Sequence, residues 1–249
     1  MAGPPGEHRW PSTGRGKSMR TWIKVTVPVV ALAGLLVGAD RVAVNVAESQ
    51  AADKLAGHQG ISGRPTVSID DMPFLTDLID QKLGKVSLSA ASMTLTGNGG
   101  QSVQLHDFRA DLSGVKVNSG YTSATVDSGS GHGLIGYQEV HDLMGLDSRI
   151  SLGYGGPGLV KVGYEMLGQK LSATVTLQNN GNTILVGSVG NLPPGLAAMP
   201  GVGGMIQRDL GAKSFTLQGL PVGLHLDSVT PQPGGIELSF AGTGVTLTS

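Results

Sequence analysis

The amino-acid sequence predicts an α+β protein built on an antiparallel β-sheet. Apolar residues alternate with Ser and Thr over several stretches, which is the pattern of strands that bury one face and expose the other. Four amphipathic segments with helical spacing interrupt these stretches. The 40 Gly and 13 Pro residues among 249 disfavour a long helical bundle, because a Gly inside a helix costs about 1 kcal/mol relative to Ala.

Composition excludes several classes of function. The chain has no cysteine, so disulfide bonds, thiolate zinc sites and thiol nucleophiles are excluded. The net charge of −1 is uneven, because residues 1–38 carry +4 and the remainder therefore carries −5. A mildly acidic main body argues against non-specific binding of nucleic acid, and we expect no nucleic-acid partner.

The amino-terminal region has the pattern of an export signal. Val25–Ala39 is a run of fifteen residues without charge, and the segment before it is basic. The basic side is expected to stay in the cytoplasm, so that the rest of the chain is translocated. As a helix the run rises about 22 Å, which is less than the ~30 Å hydrocarbon core and suits a signal peptide.

Two fates of this signal remain open. Val37-Gly38-Ala39 offers small residues for cleavage, which would give a secreted protein. Alternatively, residues 22–39 stay as a membrane anchor, a transmembrane signal helix with Trp22 and Lys24 at the interface. Either way we expect a cytoplasmic tail plus signal over residues 1–39, one domain over residues 40–249, and a location at the outer face of the cytoplasmic membrane.

The residues after the apolar run predict two helices with a short strand between them. Ala39–Ala56 lacks Gly and Pro, and Gly57 can end that helix. Pro65–Ile69 is typical of a short strand. The second helix opens at Met72-Pro73 with Asp71 in its N-cap region, and it is expected to continue through Leu83 to a C-terminal glycine at Gly84.

Period-two alternation then predicts long strands with interruptions. The apolar alternation slips by one residue between Ala90 and Met93 and again between Leu105 and Phe108, and such slips indicate β-bulges. Further strands are expected at residues 121–126 and 171–177. Near the carboxyl end, residues 236–240 and 245–247 are expected to pair as a hairpin across a Gly-containing turn.

Two more helices and a faint repeat complete the pattern. Tyr137–Leu146 and Ala198–Leu210 carry apolar residues at helical spacing. The segment that starts at Met72-Pro73 recurs from Met199-Pro200 at an offset of 127 residues, with six identities over eighteen positions. A pseudo-duplicated helix–strand unit is the structural interpretation of this repeat.

Motifs for nucleotide binding or nucleophilic catalysis are weak. Two stretches match G-x-G-x-x-G, beginning at Gly131 and at Gly153, but neither lies in a βαβ alternation. We interpret them as strand ends and a helix entry, and we expect no cofactor. The sequence contains no G-x-S-x-G elbow.

Polar clusters do not have the spacing of a metal or catalytic site. The densest group is His132, Glu139, His141 and Asp142, and it lacks the H-x-x-x-H and H-E-x-x-H spacings of zinc sites. Acidic residues around Asp70 are simply explained by a helix start and a solvated helix side. We therefore expect no metal and no catalytic residue, although a hydrolase built from scattered residues stays an alternative.

An excess of large apolar residues on the predicted helices indicates a second possibility besides ordinary core packing. Methionine is an adaptable lining residue for flexible apolar ligands. The candidate lining residues are Phe74, Leu75, Leu78, Ile79, Met144, Met199, Met205 and Ile206.

Three phrases give the chain a resemblance to a known family. The first is Arg64-Pro-Thr-Val-Ser-Ile-Asp-Asp-Met-Pro-Phe-Leu-Thr-Asp-Leu, the second is Lys85-Val-Ser-Leu-Ser-Ala, and the third is Leu220-Pro-Val-Gly-Leu-His-Leu-Asp-Ser-Val-Thr-Pro-Gln-Pro-Gly-Gly-Ile. Together they resemble the LmeA-like phospholipid-binding proteins of actinobacterial cell envelopes, over about residues 25–249. The family commonly has Gly-Phe-Pro-Phe-Leu where this chain has Asp-Met-Pro-Phe-Leu, a departure that keeps an apolar residue before Pro73.

The resemblance implies a fold and a function. The fold is similar to tubular lipid-binding proteins, in which helices lie against a strongly curved antiparallel sheet and acyl chains fill the space between. The implied partner is an anionic phospholipid, phosphatidylinositol types included, and some family members support maturation of mannan-containing glycolipids. Arg64, Lys82 and Lys85 flank the Phe74 helix and are candidates for holding the headgroup. The alternatives are an envelope glycosyl or lipid hydrolase and a structural module without a ligand.

Overall fold

A computed structural model gives the architecture of residues 19–56, 61–62, 64–97, 101–118, 123–166, 169–190, 213–218 and 220–248. Over these residues twelve strands form one antiparallel sheet. The strands are β1 (Ile61–Ser62), β2 (Thr66–Ile69), β3 (Lys82–Gly97), β4 (Ser102–Val117), β5 (Ser123–Ile135), β6 (Ile150–Gly156), β7 (Leu159–Met166), β8 (Gln169–Asn180), β9 (Thr183–Gly190), β10 (Ser214–Gln218), β11 (Val222–Gln232) and β12 (Gly235–Thr248).

The main path of the sheet has the order β11-β12-β5-β4-β3-β10-β9-β8-β7-β6, and β1 and β2 pair with the long strand β3. In the part of the chain that the structure describes, three helices accompany it: α1 (Met19–Ala56), α2 (Phe74–Ile79) and α3 (Tyr137–Leu143). The predicted α+β class is therefore confirmed, with a strongly curled sheet and few helices. The predicted helix at residues 198–210 lies outside the described residues, whereas the strand that the repeat predicts after this helix is present as β10.

The sequence slip at Asp107 corresponds to a true irregularity of β4. Between His106 and Arg109 the register of β4 against β5 shifts, and Asp107 has a φ of +51°. The buried core nevertheless includes side chains from both sides of the shift, namely Val103, Leu105 and Phe108. The extra residue in β4 turns the side chain of Phe108 back towards the core. The bulge predicted between Leu105 and Phe108 is confirmed. Between Ala90 and Met93, the pairing of β3 with β4 keeps its register, so no register shift marks the slip predicted there.

A second line of irregularities crosses five strands. The ladder of paired residues omits Gly84 opposite Gly114 and Asp127 opposite Gly244 without a change of register, and the register shifts beside Gly223 of β11. Gly114 and Gly244 have φ values of +66° and +60°, a conformation that glycine adopts without steric cost. Aligned interruptions of this kind bend a sheet, so this line is one source of the strong curl.

The hairpin predicted near the carboxyl end is wrong, because the glycines on this line form a kink and not a turn. Residues 236–240 and 245–247 belong to one continuous strand, β12, and not to two strands joined by a turn. Residues on both sides of Gly242 and Gly244 pair with β5, and β11 pairs along the other edge. The glycines allow a kink in a strand that is held on both edges.

α1, α2 and β2 pack together on the edge of the curl beside β3. Their shared apolar cluster consists of Val44, Ala52, Val67, Ile69 and Phe74, with Phe74 only 1% exposed. The helix predicted over Ala39–Ala56 and the strand predicted over Pro65–Ile69 are confirmed, and α1 extends upstream to Met19.

α2 is shorter than the sequence predicts. It ends at Ile79, and Leu83 and Gly84 already belong to β3. The carboxylate of Asp71 accepts hydrogen bonds from the backbone N–H groups of Gly84 and Lys85 at 2.7 and 3.2 Å, which fixes these residues at the start of β3. Asp71 therefore does not cap α2; the carboxylate of Asp40 on α1 accepts from the N–H of Leu75 at 2.8 Å.

The curl brings β11 against the β8–β9 hairpin. The side-chain amide of Asn179 donates to the carbonyl oxygens of Leu226 and Asp227, and the Asn182 side-chain oxygen accepts from the N–H of Leu226 at 2.9 Å. These contacts occupy backbone groups of an edge strand, which would otherwise be open to pairing with another chain. The main core fills the inside of the curl, with Leu105 and Leu238 fully buried.

The division of the chain at residue 39 stays a prediction, and α1 runs through it without a break. Within the described ranges, no helix has both the length and the apolar character needed to cross a membrane.

Candidate functional site

An apolar pocket lies inside the curl, beneath α3. Among the described residues nine side chains line it, and all nine are apolar. They come from α3 and from both halves of the sheet: Ile135, Val140, Leu143, Met144, Leu177, Ile184, Phe215, Ile236 and Leu238. The free space inside is about 20 Å³, which is enough for about one water molecule.

Half-buried apolar side chains continue from this pocket along the inner face of β8 and β9. Leu177 pairs with Val186, and Val175 pairs with Val189. Val175 is almost fully buried, whereas Leu177, Val186 and Val189 are half-buried against the same core. The pocket and this strip together form the inner apolar face.

Polar contacts hold α3 over the pocket at its two ends. At the start, the N–H of Gly136 donates to Glu139 at 2.8 Å, and Tyr137 donates its hydroxyl hydrogen to the carbonyl of Gln232 at 2.8 Å. Glu139 also contacts the ring of His106 on β4 at 2.9 Å. At the end, the ammonium of Lys213 donates to the carbonyl oxygen of Met144 at 3.1 Å. Both ends of the helix are thus tied to strands by groups outside the apolar lining.

Charged groups beside the pocket stabilise the segment that follows α3. Both ring nitrogens of His141 lie near acceptors, Asp142 at 2.9 Å and the carbonyl of Asp147 at 3.1 Å. The hydrogen bond to Asp142, followed by that to the Asp147 carbonyl, raises the pKa of His141 above its ordinary value. Hydrogen bonds from Arg149 hold the pKa of Asp147 well below its usual range. This network fixes the loop between α3 and β6.

The polar residues singled out in the sequence do not assemble into a metal site. Glu139 pairs with His106, whereas His141 pairs with Asp142, and His132 lies exposed on β5. In the described part of the chain, no group of three or more His, Asp or Glu side chains is placed to hold a metal ion. In the first glycine motif, Gly131 and Gly133 belong to β5 and Gly136 precedes α3. In the second motif, Gly153 and Gly155 belong to β6 and Gly158 lies in the turn before β7.

The predicted lining residues are distributed over different places. Met144 lines the pocket. Phe74 is buried in the separate cluster with α1 and β2. Leu75 and Ile79 lie on the solvent side of α2, with Ile79 82% exposed. The side chain of Leu78, together with Met199, Met205 and Ile206, lies outside the described residues. The lipid-lining role of these residues stays a prediction.

The predicted headgroup cations do not lie at the pocket. Arg64 forms an exposed ion pair with Asp53 at 2.9 Å. Lys82 pairs with Lys116, which in turn pairs with Thr125 on β5, so these residues lie at one level of the sheet. Ile135, which lines the pocket, is ten residues further along β5. Ten residues of strand span about 33 Å. Lys85 is exposed near Lys82 on β3.

Most pocket residues come from strands and were missed in the sequence. Leu177, Ile236 and Leu238 stand at inward positions of predicted strands, so their direction was visible in the alternation. The contact between these residues and α3 was not visible in the sequence, because it depends on the curl of the sheet. Ile184 was missed together with its strand, whereas Phe215 lies on β10, the strand that the repeat predicts after the helix at residues 198–210.

The inside of the curled antiparallel sheet is lined by apolar side chains where α3 covers it, and a lining of this kind suits an apolar ligand rather than a polar one. A family model described as LmeA-like phospholipid-binding matches residues 38–241. Because the match covers most of the chain, the protein belongs to this family, which confirms the resemblance noted in the sequence. A search of curated proteins and a search of solved structures each found no match.

Proposed function

We propose that the protein binds an anionic phospholipid, of the phosphatidylinositol type, with its acyl chains on the inner apolar face. Membership of a phospholipid-binding family over residues 38–241 carries this proposal. The wholly apolar lining of the pocket beneath α3 supports it, because such a surface gives no partner to a polar or charged ligand. The action is non-covalent, and we assign no catalytic residue.

Entry of an acyl chain requires α3 to move outward, because the pocket itself has room for about one water molecule. Val140 is the one buried residue of α3, at 8% exposed, and the polar contacts at the two ends of α3 are half-buried. Each methylene transferred from water to the inner apolar face contributes about 0.8 kcal/mol, and each such contact about 0.5–3 kcal/mol, so roughly ten methylenes of an acyl chain offset the loss of three contacts.

For the phosphate we propose Lys213, whose ammonium lies at the rim of the pocket beside the Met144 carbonyl. An ammonium has three donors and can contact a phosphate oxygen while it keeps this carbonyl. Arg64, Lys82 and Lys85 stay candidates from the sequence.

We further propose that the protein works in the cell envelope, at the outer face of the cytoplasmic membrane. Its basic start and its apolar run support export, followed either by anchoring through residues 22–39 or by cleavage and secretion. A role in the maturation of envelope lipoglycan or mannan is consistent with the resemblance to its family.

A bulky side chain in the pocket is expected to reduce lipid binding. Met144→Trp fills space that an acyl chain would take, and the loss of contact with three or four methylenes weakens binding about 10²-fold. The measurement is the affinity for fluorescent phosphatidylinositol in solution. Overpacking costs about 1–3 kcal/mol, so thermal unfolding is recorded alongside.

The matched control is Ser130→Trp, which places the same side chain on the exposed side of β5. It should leave the affinity for phosphatidylinositol unchanged. Equal affinities for the parent chain and a folded Met144→Trp variant would remove the pocket from the proposal.

A further inference from the structure

We infer that one end of the sheet, the docking end, is the surface that this protein lays on a lipid bilayer. This inference rests on the proposed function and adds to it the orientation of the domain. The docking end is the end at which β3, β5 and β11 begin and β4 and β12 terminate. It is defined by Ile79, Lys82, Lys116 and Val222.

The pairing register places these residues at one level of the molecule. Val222 pairs with Thr246, which pairs with Thr125, which pairs with Lys116, which in turn pairs with Lys82. The chain enters β3 from α2 at the same level, because the carbonyl of Gln81 accepts from the N–H of Val117 at 3.0 Å. Ile79, two residues before Gln81, therefore belongs to the same end as Val222.

Large apolar side chains project from the docking end. Ile79 is 82% exposed and Val222 is 77% exposed, the highest values among the large apolar side chains that the structure describes. Met72 and Leu75 are also exposed, at the start of α2. Single exposed apolar residues are normal on a protein surface, but a group at one end of the sheet indicates an apolar partner.

The direction of α1 supports a membrane as that partner. The N–H of Ile69 donates to Glu48, and the N–H of Leu75 donates to Asp40, so α1 passes from β2 towards α2 as residue numbers fall. Beyond Asp40 the helix continues to Met19, about 31 Å further at 1.5 Å per residue. Its uncharged run, Val25–Ala39, is the part of the chain that lipid would take up, and it leaves the domain beside α2.

Charge makes a smaller contribution at this end. Lys82 and Lys116 are cross-strand neighbours on the exposed side of the sheet, and Asp127 accepts a hydrogen bond from Lys116 at 2.7 Å. The carboxylate neutralises one of the two ammonium groups, and the exposed Asp80 adds a negative charge nearby. Apolar insertion of Ile79 and Val222 therefore carries the docking, with Lys82 placed to contact a phosphate at the membrane surface.

The absence of cysteine from the chain allows a direct test with single labels. Ile79→Cys, Val222→Cys and Pro233→Cys are each made in the full chain and labelled with a polarity-sensitive fluorophore. Pro233 is exposed in the turn between β11 and β12, at the opposite end of the sheet. The labelled chains are bound to vesicles of phosphatidylcholine and phosphatidylglycerol, with nitroxide-bearing lipid as the quencher.

We expect a blue shift and strong quenching for labels at residues 79 and 222, and neither effect at residue 233. Equal responses at all three positions, or quenching at residue 233 alone, would overturn the inference. A parent chain that does not bind the vesicles would also overturn the inference. If phospholipid can nevertheless be extracted from that same chain, the proposed function still holds. The two proposals therefore fail separately.

A second set of variants measures the contribution of the apolar side chains without a label. The double variant Ile79→Asp with Val222→Asp should bind the same vesicles at least tenfold more weakly, because each change replaces an inserted apolar group by a charge. Both sites are exposed, so thermal unfolding should be unchanged. Gln101→Asp, exposed near the opposite end, is the matched control. Unchanged vesicle binding by the double variant contradicts the inference.

Discussion

Phe74→Ala should lower the free energy of unfolding by about 3–5 kcal/mol, the usual cost of deleting a fully buried aromatic ring. Phe74 is 1% exposed and packs with residues of both α1 and β2, so the cavity would open at the point where three elements meet. Since domains are stable by about 5–15 kcal/mol, the variant should still fold. The measurement is urea unfolding, in which the midpoint should fall while the slope stays constant.

The adjacent residue provides the control for this prediction. Leu75→Ala removes a side chain that is 36% exposed and keeps the backbone hydrogen bond from Leu75 to Asp40. Its cost should stay below about 1 kcal/mol. Similar midpoints for Phe74→Ala and Leu75→Ala would show that α2 does not anchor α1 to the sheet as described.

Asp71→Ala should destabilise the protein by about 3–5 kcal/mol. Asp71 is 7% exposed, and its carboxylate accepts hydrogen bonds from two backbone N–H groups at the start of β3. Hydrogen bonds to a charged group contribute about 1.5–3 kcal/mol each, and their loss leaves Gly84 and Lys85 without this acceptor. Asp71→Asn keeps one acceptor oxygen and should fall between Asp71→Ala and the parent chain in urea unfolding.

Asp70→Ala is the matched control, because Asp70 is adjacent, has the same charge and is exposed. The order of stability should be Asp70→Ala, then Asp71→Asn, then Asp71→Ala. If Asp70→Ala and Asp71→Ala cost the same, the effect is one of net charge, and the role of Asp71 in holding β3 is wrong.

Local pattern was sufficient to predict the class of fold and several of its elements. Alternation of apolar and Ser/Thr residues predicted the strands, and the slip between Leu105 and Phe108 predicted the bulge at Asp107. These features depend on neighbours within a few residues, so a single sequence contains them. The strong curvature and the family were predicted from the quoted phrases, not from periodicity.

Errors arose where distant pairing decides between two local possibilities. Glycines near residue 242 suit both a turn and a kink, and pairing with β5 and β11 on both edges selects the kink. Leu83 suits the apolar side of a helix, but pairing with Val115 and the hydrogen bonds from Gly84 and Lys85 to Asp71 place it in β3. Neither partner is visible in the local sequence.

The candidate site shows the same limit. Met144 was predicted from the apolar side of a helix, and it lines the pocket. Its neighbours Leu177, Phe215 and Leu238 come from three strands that meet only because the sheet curls. Gly131 and Gly133 were interpreted as strand ends, although both lie within β5, where an added Cβ would come within 3.1 Å of Arg109 and of Leu105.

The central claim is that phospholipid occupies the inner apolar face. The most direct measurement is mass spectrometry of lipid extracted from the full chain after purification from envelope membranes. We predict that an anionic phospholipid copurifies with the parent chain and with Ser130→Trp, and that Met144→Trp retains much less of it. No phospholipid above that of an unrelated control protein, or equal amounts in a folded Met144→Trp variant, would contradict the account.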